Sequence, residues 1–543
     1  MKLALTTLNP SGASGLRSSL ASAAIALAAM AACAPAVSQT PLPASEVEAL
    51  LPQIESTIQA AMTAWEVPGL AVGIVADDQL VYAKGFGIRE HGSNKAVDAE
   101  TLFQIGSATK AFLGATEAIL VDRGKLAWTD KVVDYYPEFR LADPWVTQQF
   151  EIGDLLAQRS GLPPWTLTSM MLYDYPRTDI IAALQFVAPI SSFRSDFGYQ
   201  NAFHLVAEKV IERAADAESW EAFLQSELLD PLGMSASSYT ADAMRQAANR
   251  ATGHRREAQA IIIDPWAPFP YNAGGAGGLN SSVKDMSRWL RFQINQGEID
   301  GKRILSPRAL RDTHQPRIAL SGFMRDLLQT SEQDDVAYAT GWLVHNTPQG
   351  RIIEHGGATT GFTSQVSFDP DRRVGVVVLT NLSVDFGNGA ALPIGKSILD
   401  LLQGRPPVDH AGEALAALYK NRAAQEASLR PPANPQPPRP LEDYAGTYTS
   451  SVLGPVTIGL EEGKLAFTVG PRDARVALEP WSGDIFIAKV ELPALGPHPY
   501  VETKKLRFFV DMQDNIAGFD WSDDSDGSGQ PPFSRQAQGR DAG

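Results

Sequence analysis

Phe103–Lys110 reads FQIGSATK, and the rest of the chain is interpreted outward from this stretch. Phe103–Ile105 favours extended chain, whereas the residues from Ser107 onward favour a helix that ends at Arg123-Gly124. Because Ser107 and Lys110 are three positions apart, their side chains share one face of the first helical turn. The sequence therefore predicts a hydroxyl and an amine side by side at the start of a helix.

These two side chains have a chemical and a structural interpretation. A serine hydroxyl is a weak nucleophile until a base takes its proton. A free lysine has a pKa of about 10.4 and is charged at neutral pH, but a helix N-terminus and burial both disfavour the ammonium form. Ser107 can thus be a nucleophile with Lys110 as its base, or it can merely cap the helix.

A second S-x-x-K in the same chain shows that the motif alone decides nothing. Ser281 and Lys284 have the same spacing. Ser282 precedes Asp285 by three positions, which is a helix-capping arrangement, and Lys284 falls in an exposed first turn. We interpret this copy as structural, so the choice for Ser107 depends on partners elsewhere in the chain.

Composition excludes several classes of function. A chain of 543 residues predicts two or three domains, and 44% hydrophobic with 20% charged residues is typical of a globular protein. The net charge of −16 without a basic run excludes a nucleic-acid partner. One cysteine, Cys33, permits no intramolecular disulfide, and eight scattered histidines without H-E-x-x-H predict no metal. We expect no cofactor.

Residues 1–39 are expected to be a targeting segment. Leu20–Ala32 is a short alanine-rich apolar run, preceded by Lys2 and Arg17, and is typical of a secretory signal. Met30–Cys33 resembles a bacterial lipobox, although methionine stands where leucine is usual. The sequence predicts export to the periplasm, either with a lipid anchor through Cys33 or after ordinary cleavage at a small-x-small site.

Alternation between strand and helix patterns predicts the fold class. Leu70–Val75 and Leu80–Phe86 form a predicted hairpin around Asp77-Asp78. Helical patterns follow, and strands return late in the chain, at residues 338–344, 351–354, 363–368 and 374–379. We expect an α/β fold, an antiparallel sheet flanked by helices with an all-helical insertion, and an active site at the seam.

The C-terminal part has a different pattern. Arg430–Pro440 is a proline-rich spacer, and about seven short β runs follow it, which predicts a small antiparallel β-barrel or sandwich. The final residues, rich in Asp, Ser and Gly, are expected to be disordered. The predicted boundaries are a signal at 1–39, a catalytic domain at 40–405, a linker at 406–440, a β-barrel at 441–535 and a tail at 536–543.

Two further motifs supply candidate partners for Ser107. Tyr199-Gln200-Asn201 precedes a helix. Tyr199 can be a phenolate held by a nearby lysine, or a neutral phenol that shuttles a proton. The side-chain amide of Asn201 can form hydrogen bonds with Lys110 and with substrate. The structural alternative is an aromatic turn followed by an N-cap. A similar Tyr419–Asn421 lies beside the linker and is interpreted as outside the catalytic domain.

His355-Gly356-Gly357 follows at a predicted strand end. Two glycines allow close approach of a ligand, and the histidine offers a donor to a carboxylate or to Tyr199. The structural alternative is a hairpin turn with a surface histidine.

Taken in this order, the motifs S-x-x-K, Y-x-N and H-x-G resemble those of the serine β-lactamase and penicillin-binding-protein superfamily, with class C β-lactamase-related hydrolases the most similar branch. Arg159–Pro163 and Gly275–Leu279 are also similar to stretches of that group. The resemblance covers about residues 45–405. The C-terminal β region is similar to the lipocalin-like domain of some of these peptidases.

The resemblance implies roles for the motif residues. Ser107 would carry the acyl group, Lys110 and Tyr199 would be the general base pair, and Asn201 would contact substrate. The backbone N–H groups of Ser107 and Ala358 would form the oxyanion hole. His355, Gly356 and Gly357 would bind substrate.

The third motif departs from that of true β-lactamases, which carry lysine-threonine-glycine. We therefore expect a peptidase or amidase on small or linear peptides, D- or modified residues included. A carboxylesterase, a weak β-lactamase and a non-turnover penicillin-binding receptor remain alternatives. An α/β-hydrolase is excluded because the chain has no G-x-S-x-G. The proline-rich spacer is expected to hold the barrel as a semi-independent unit on a stiff tether. The alternative is that the barrel caps the active site or builds a homo-oligomer.

Overall fold

The structure is a computed structural model that describes residues 40–257, 260–263, 270–320, 325, 335–347, 350–384, 387–492, 500–521 and 531–536. The predicted signal, its lipobox and Cys33 lie outside the described residues, and so does most of the acidic, glycine-rich C-terminus. No helix among the residues described has the length and apolar character needed to cross a bilayer.

An eight-stranded antiparallel sheet forms the centre of the larger part of the chain. Its order is β2-β1-β8-β7-β6-β5-β4-β3, so the N-terminal hairpin joins strands from the far end of the domain. This confirms the predicted sheet and its first hairpin. The strands are β1 Gly69–Ala76, β2 Gln79–Gly87, β3 Ile318–Ala319, β4 Asp335–Tyr338, β5 Leu343–Thr347, β6 Gly350–Ala358, β7 Thr363–Asp369 and β8 Val374–Thr380.

Helices surround this sheet and fill the insertion between β2 and β3. The longer ones are α1 Ala44–Trp65, α2 Thr109–Asp122, α3 Ala202–Ala215, α4 Val283–Ile294, α5 Ala391–Leu402 and α6 His410–Leu429. The short ones are Val132–Tyr135, Pro144–Gln149, Ile152–Leu155, Thr168–Leu172, Arg177–Ala183, Trp220–Leu224, Asp230–Leu232, Ala241–Gln246, Pro307–Thr313 and Leu441–Tyr444.

Both faces of the sheet are covered, which explains why β1 is buried along its whole length. Val72 and Ile74 belong to one apolar cluster with α1 and α5, whereas Ala71 and Val75 belong to another with α2 and α4. Successive side chains of a strand point to opposite faces. Alternate residues of the continuous apolar run of β1 therefore pack against different helical layers, one on each face of the sheet.

Two short strands bring the nucleophile segment to the glycine-rich loop. Phe103–Gln104 pairs with Asn280–Ser281, and the chain continues into the 3₁₀ turn Gly106–Ala108 and then α2. A second 3₁₀ turn, Tyr271–Ala276, lies at the other end of this pairing. Segments about 170 positions apart in the sequence thus meet at the start of α2.

The predicted strand at 338–344 is wrong. The chain turns at residues 339–342 and makes two strands, β4 and β5. Gly341 has a φ of +76°, and a Cβ there would lie 2.5 Å from the carbonyl oxygen of Lys110. A side chain at this position would be strained and would collide with α2, so the turn depends on glycine.

The His355-Gly356-Gly357 motif also differs from the expected strand end. It lies within β6, which extends through Ala358. β5 pairs with β6 only as far as Glu354, whereas β7 pairs with it along residues 353–358. The motif is therefore at a local edge inside the sheet, not in a hairpin turn.

The C-terminal β region is a closed barrel of eight strands, one more than the seven predicted. The eighth, Phe533–Arg535, closes it by pairing with the first and seventh strands. The barrel strands are β9 Gly446–Ser450, β10 Gly454–Glu461, β11 Lys464–Val469, β12 Ala474–Ser482, β13 Ile485–Glu491, β14 Val501–Val510, β15 Ile516–Asp520 and β16 Phe533–Arg535.

Aromatic side chains fill the barrel interior. Phe508 lies against Tyr444, Tyr448, Phe486 and Phe519, with ring centroids 4.7–6.1 Å apart. These rings make the interior a packed core.

Part of the stretch expected to be a linker is helical. α6 packs Ala411, Ala414 and Leu418 in the same cluster as α1. The indole N–H of Trp65 in α1 donates to the carbonyl oxygen of Ala411 at 3.0 Å. The domain boundaries themselves stay predictions.

Candidate active site

Ser107 is positioned by a tight turn. Gly106 has a φ of +51°, and a Cβ there would lie 2.6 Å from the backbone nitrogen of Ala358. Ile105 is the residue that caps the 3₁₀ turn and Ala108 the one that caps α2, and no side-chain hydrogen bond is made at either cap. Ser107 is therefore not a helix cap, and its hydroxyl is free for other partners.

The side-chain nitrogen of Lys110 is enclosed by three oxygen atoms. Its Nζ lies 3.1 Å from Ser107 Oγ, 2.8 Å from Asn201 Oδ1 and 2.7 Å from the carbonyl oxygen of Ala276. The side chain is fully buried, and this burial holds the pKa of Lys110 well below its usual value. The residue thus meets the main requirement for a general base near neutral pH.

The hydrogen-bond geometry also directs the base at the nucleophile. A neutral amine has two N–H donors and one lone pair. Asn201 Oδ1 and the carbonyl oxygen of Ala276 can only accept, so they take both donors of Lys110. The lone pair is left for the hydroxyl proton of Ser107.

Tyr199 lies on the other side of this pair. Its ring centroid is 4.8 Å from Lys110 Nζ, and its side chain is 8% exposed. Burial raises the pKa of the Tyr199 phenol, and the hydrogen bond with Ser107 opposes that rise only in part. Of the two sequence-based alternatives, the structure disfavours the phenolate, and Tyr199 is a neutral phenol suited to relaying a proton.

Asn201 occupies the N-cap position of α3 without capping it. Its Oδ1 accepts from Lys110, and its Nδ2 donates to Thr168 Oγ1 at 3.4 Å. The neighbouring Gln200 anchors this loop, since its Nε2 donates to the carbonyl oxygens of Leu162 and Pro163 at 2.9 and 3.0 Å. The alternative of an aromatic turn with a structural N-cap is not supported.

The Arg159–Pro163 stretch helps to hold the Y-x-N loop. Ser160 Oγ donates to Gln200 Oε1 at 2.8 Å. Gly161 has a φ of +85°, and a Cβ there would be 2.6 Å from the carbonyl oxygen of Ser191. This stretch therefore acts through Gln200 and not through direct contact with Ser107.

The glycine-rich stretch presents the Ala276 carbonyl. A buried carboxylate, Glu208, accepts from the backbone N–H of Gly275 and forms an ion pair with Arg177 at 2.9 Å. Burial raises the pKa of Glu208 to about 7. Sequence reasoning missed Glu208, because its link to residue 275 joins segments without a local signal.

His355 is buried and fully engaged, which corrects the expected donor to Tyr199 or to a carboxylate. Its Nδ1 lies 2.6 Å from the carbonyl oxygen of Gly356, which can only accept, so Nδ1 carries the proton. Its Nε2 then accepts from the Tyr338 hydroxyl at 2.9 Å. Burial lowers the pKa of His355 to about 4, so the ring is neutral at pH 7.

The glycines beside His355 lie against the nucleophile turn. A Cβ on Gly357 would be 1.9 Å from the carbonyl oxygen of Ile105 and 2.8 Å from the Ser107 nitrogen. A Cβ on Gly106 would likewise lie 2.6 Å from the backbone nitrogen of Ala358. The backbone of β6 is thereby placed beside the Ser107 N–H, which is where the predicted oxyanion hole requires it.

The two decoy motifs lie elsewhere. Ser281 Oγ is 2.8 Å from Ser237 Oγ, and Ser282 accepts from the backbone N–H of Asp285 as a helix cap. Lys284 pairs with Glu100 at the surface. These contacts agree with the structural interpretation of that motif. Tyr419 lies on α6 and accepts from Arg256.

Other residues near the site were missed by sequence reasoning. The buried Tyr338 fixes His355 through its hydroxyl, and Gln158 Oε1 accepts from the backbone N–H of Gln200. Trp165 stacks at a tilt on Tyr199, with centroids 4.8 Å apart. Among the residues described, no cluster of three or more His, Cys, Asp or Glu is placed to hold a metal ion.

The family follows from a match over most of the chain. The sequence model of the family described as Beta-lactamase matches residues 54–394, which contain all three motifs. The chain belongs to the beta-lactamase family. In this family member a second model, a domain of unknown function called DUF3471, matches residues 430–535 and covers the barrel.

Relatives and a solved structure extend the comparison. An unguisins hydrolase, ungD of Aspergillus violaceofuscus, is 27% identical over 471 residues, covering 80% of this chain and 82% of the relative. Protein flp of Staphylococcus aureus is 23% identical over 62% of this chain and 63% of its own length. The octameric penicillin-binding protein homologue from Pyrococcus abyssi shares the fold, with a TM-score of 0.59 at 21% identity over 85% of this chain and 96% of that one.

Proposed function

We propose that this beta-lactamase family member is a peptidase or amidase that hydrolyses small or linear peptides, D- or modified residues included, through an acyl-enzyme on Ser107. The observation that carries the proposal is the buried Lys110, whose two acceptors leave its lone pair to the Ser107 hydroxyl.

The first half of the reaction follows from this geometry. Lys110 takes the Ser107 proton while Oγ attacks the amide carbonyl carbon, and the resulting oxyanion faces the N–H groups of Ser107 and Ala358. When the tetrahedral intermediate collapses, Tyr199 gives its phenol proton to the leaving amine. The Lys110 ammonium then restores that proton to Tyr199, and the acyl group remains as an ester on Ser107.

The second half uses the same groups in reverse. A water molecule attacks the acyl ester and passes its proton to Lys110 through Tyr199. Collapse of this second intermediate releases the acid, and the Lys110 proton returns to Ser107 Oγ. Besides the nucleophile Ser107 itself, only Lys110 and Tyr199 change their protonation state in this scheme.

Two observations favour a peptide over a β-lactam. Where true β-lactamases carry a lysine, this chain has His355, which is buried, neutral and bonded to Tyr338, so no cation stands at that position of β6. A relative aligned over 80% of the chain is named as a hydrolase of unguisins. A carboxylesterase would use the same residues, so only a comparison of ester and amide substrates distinguishes it from a peptidase or amidase.

Location and assembly are part of the proposal. The alanine-rich N-terminal run supports export to the periplasm, with Cys33 as a lipid anchor if the lipobox is used. The fold neighbour from Pyrococcus abyssi is octameric, which supports a homo-oligomer here. Light scattering of the exported form and lipid labelling of Cys33→Ala against the natural chain test these two points.

The deciding experiment is a substrate panel. Chromogenic acyl esters, D- and L-aminoacyl anilides, short peptides and nitrocefin are incubated with the exported protein and with Ser107→Ala. We expect turnover of at least one anilide or peptide, and none with the variant. Turnover confined to esters would show that the protein is an esterase. A stable covalent adduct with nitrocefin that is not hydrolysed to free enzyme would show that it is a non-turnover penicillin-binding receptor.

A further inference from the structure

An exposed aromatic side chain lies against Tyr199 and has no role in the reaction just described. Trp165 is 38% exposed, and its ring lies 4.8 Å from that of Tyr199 at an angle of 50°. Its backbone N–H donates to the carbonyl oxygen of Tyr199 at 2.7 Å. Trp165 therefore offers an uncharged apolar wall next to a catalytic residue.

The backbone that presents this wall is strained. Trp165 and Leu167 have φ values of +61° and +60°, a region that bulky side chains rarely adopt. Asp174, nine positions after Trp165, has a φ of +65°. Such conformations cost free energy and persist only when the surroundings fix them. The contacts at the far end of this segment are therefore relevant to the position of Trp165.

The far end of the segment is held by the C-terminal barrel. The Tyr175 hydroxyl donates to the carbonyl oxygen of Leu453 at 2.7 Å, and Asp174 forms an ion pair with Arg472. Gly470 of the barrel lies so close that a Cβ would be 2.8 Å from Tyr173 Cβ. The apolar core is continuous across this contact, since Tyr173 and Leu453 belong to one cluster.

A short helix connects the two ends. It spans Thr168–Leu172, and the N–H of Thr168 donates to the carbonyl oxygen of Trp165 at 3.0 Å. The N–H of Tyr175 donates to the carbonyl oxygen of Met170 at 2.9 Å. Thr168 also accepts from Asn201, which itself bonds Lys110. The barrel contact and the catalytic cluster are thus joined by one hydrogen-bonded segment of eleven residues, 165–175.

We propose that Trp165 is a substrate-binding residue that selects a bulky apolar or aromatic side chain of the substrate, and that the barrel holds it in place through Asp174 and Tyr175. This proposal rests on the proposed hydrolytic function of Ser107. An aromatic ring of the substrate would cover the exposed face of Trp165 and gain apolar contact there. The barrel residues that contact the segment are positioning residues.

The test measures preference between two probes on the full chain. A benzyl and a methyl fluorophosphonate report the rate of Ser107 labelling without requiring peptide turnover. We expect the natural protein to prefer the benzyl probe and Trp165→Ala to reduce that preference about tenfold, with labelling by the methyl probe within about twofold. Trp165→Phe should keep most of the preference.

Barrel positioning is tested by a double variant, Tyr175→Phe with Arg472→Ala. We expect a fall of about threefold in the same preference and faster hydrogen–deuterium exchange of backbone amides at 165–175. Arg475→Ala is the matched control, because Arg475 pairs with Glu461 elsewhere on the barrel. It should leave both readouts unchanged.

The failures of the two proposals are distinguishable. Absence of Ser107 labelling by either probe in the natural protein would overturn the hydrolytic function, and the Trp165 subsite with it. Labelling with equal preference in Trp165→Ala and in the natural protein would overturn the subsite alone. Unchanged exchange at 165–175 in the folded double variant would overturn positioning by the barrel, whatever the labelling shows.

Discussion

Replacing Asn201 by aspartate changes the charge next to the proposed base with almost no change in shape. Asn201 Oδ1 lies 2.8 Å from Lys110 Nζ, and both residues are buried. A carboxylate at this place would stabilise the ammonium form of Lys110 and raise its pKa, which the enclosed site otherwise lowers. Asn201→Asp should therefore disable the base while leaving Ser107, Lys110 and Tyr199 in place.

The size of the effect follows from this separation. Two unit charges 2.8 Å apart, at an effective dielectric constant of about 20, attract by about 6 kcal/mol. Burial of the new carboxylate opposes its ionisation and takes back part of this gain. We expect a net rise in the pKa of Lys110, and hence a loss of up to about 10²- to 10³-fold in reactivity at neutral pH, since each ~1.36 kcal/mol of net stabilisation of the ammonium form lowers the neutral fraction by at most about tenfold.

The assay is the rate of Ser107 labelling by a fluorophosphonate between pH 6 and pH 10. In Asn201→Asp the rate should be low at neutral pH and recover as the pH approaches the raised pKa of Lys110. Asn201→Ala is the control, because it removes the acceptor without adding a charge. The apparent pKa of its pH profile should not exceed that of the natural protein, and its loss in rate at neutral pH should be smaller than that of Asn201→Asp.

The outcome that would refute this reasoning is specific. If folded Asn201→Asp reacts at the rate of the natural protein across that pH range, then the charge state of Lys110 does not control Ser107. The base would then be another group, and the assignment of Lys110 would be wrong.

Four further outcomes are expected. Tyr199→Phe should lower kcat/KM by about 10² to 10⁴, because the leaving amine loses its proton donor, and an unchanged value in steady-state assays would remove Tyr199 from the mechanism. Lys110→Met should stabilise the fold, and most strongly at low pH, because the folded state lowers the pKa of this lysine and the unfolded chain therefore binds one proton more. The free energy of unfolding of the natural protein should rise with pH up to about 10.4, the pKa of a free lysine, so that the difference between the two proteins shrinks. Denaturant titrations at several pH values measure this difference. Gly357→Ala should lose activity because its Cβ would meet the Ile105 carbonyl and the Ser107 nitrogen, whereas Gly459→Ala, in open space on the barrel, should not. Activity should be unaffected by EDTA, and a loss that zinc restores would show that the chemistry has been misread.

Residue types and spacing were enough to predict the centre of the site. S-x-x-K and Y-x-N each carry a chemical requirement, and the structure brings Ser107, Lys110, Tyr199 and Asn201 into mutual contact. The choice between phenol and phenolate could not be predicted, because it depends on the burial of Tyr199 in the folded chain. Burial is a property of the assembled fold and not of the local sequence.

The engagement of His355 was missed for the same kind of reason. Its partner Tyr338 comes from a strand two places away in the sheet. No local pattern marks such a contact between distant segments. A single glycine inside a strand pattern, as at Gly341, is a known sign of a turn or bulge and could have predicted the break between β4 and β5.

The barrel illustrates another limit. Strands with regular alternation were recognised, whereas Phe533–Arg535 has three residues and is too short for a period to show. Its place is fixed by closure, because an open edge at β9 and β15 would leave backbone groups unpaired. α6 carried a signal in its run of Ala, Leu and Glu that was overlooked beside the prolines.

The central claim is that Ser107 is the nucleophile activated by Lys110, and covalent labelling followed by peptide mass spectrometry tests it most directly. After reaction with a fluorophosphonate, the adduct should lie on the peptide that contains Ser107. Ser107→Ala should abolish labelling, while Ser281→Ala, which alters the other S-x-x-K, should keep it. Labelling that persists in folded Ser107→Ala, or an adduct mapped to another residue, would contradict the account.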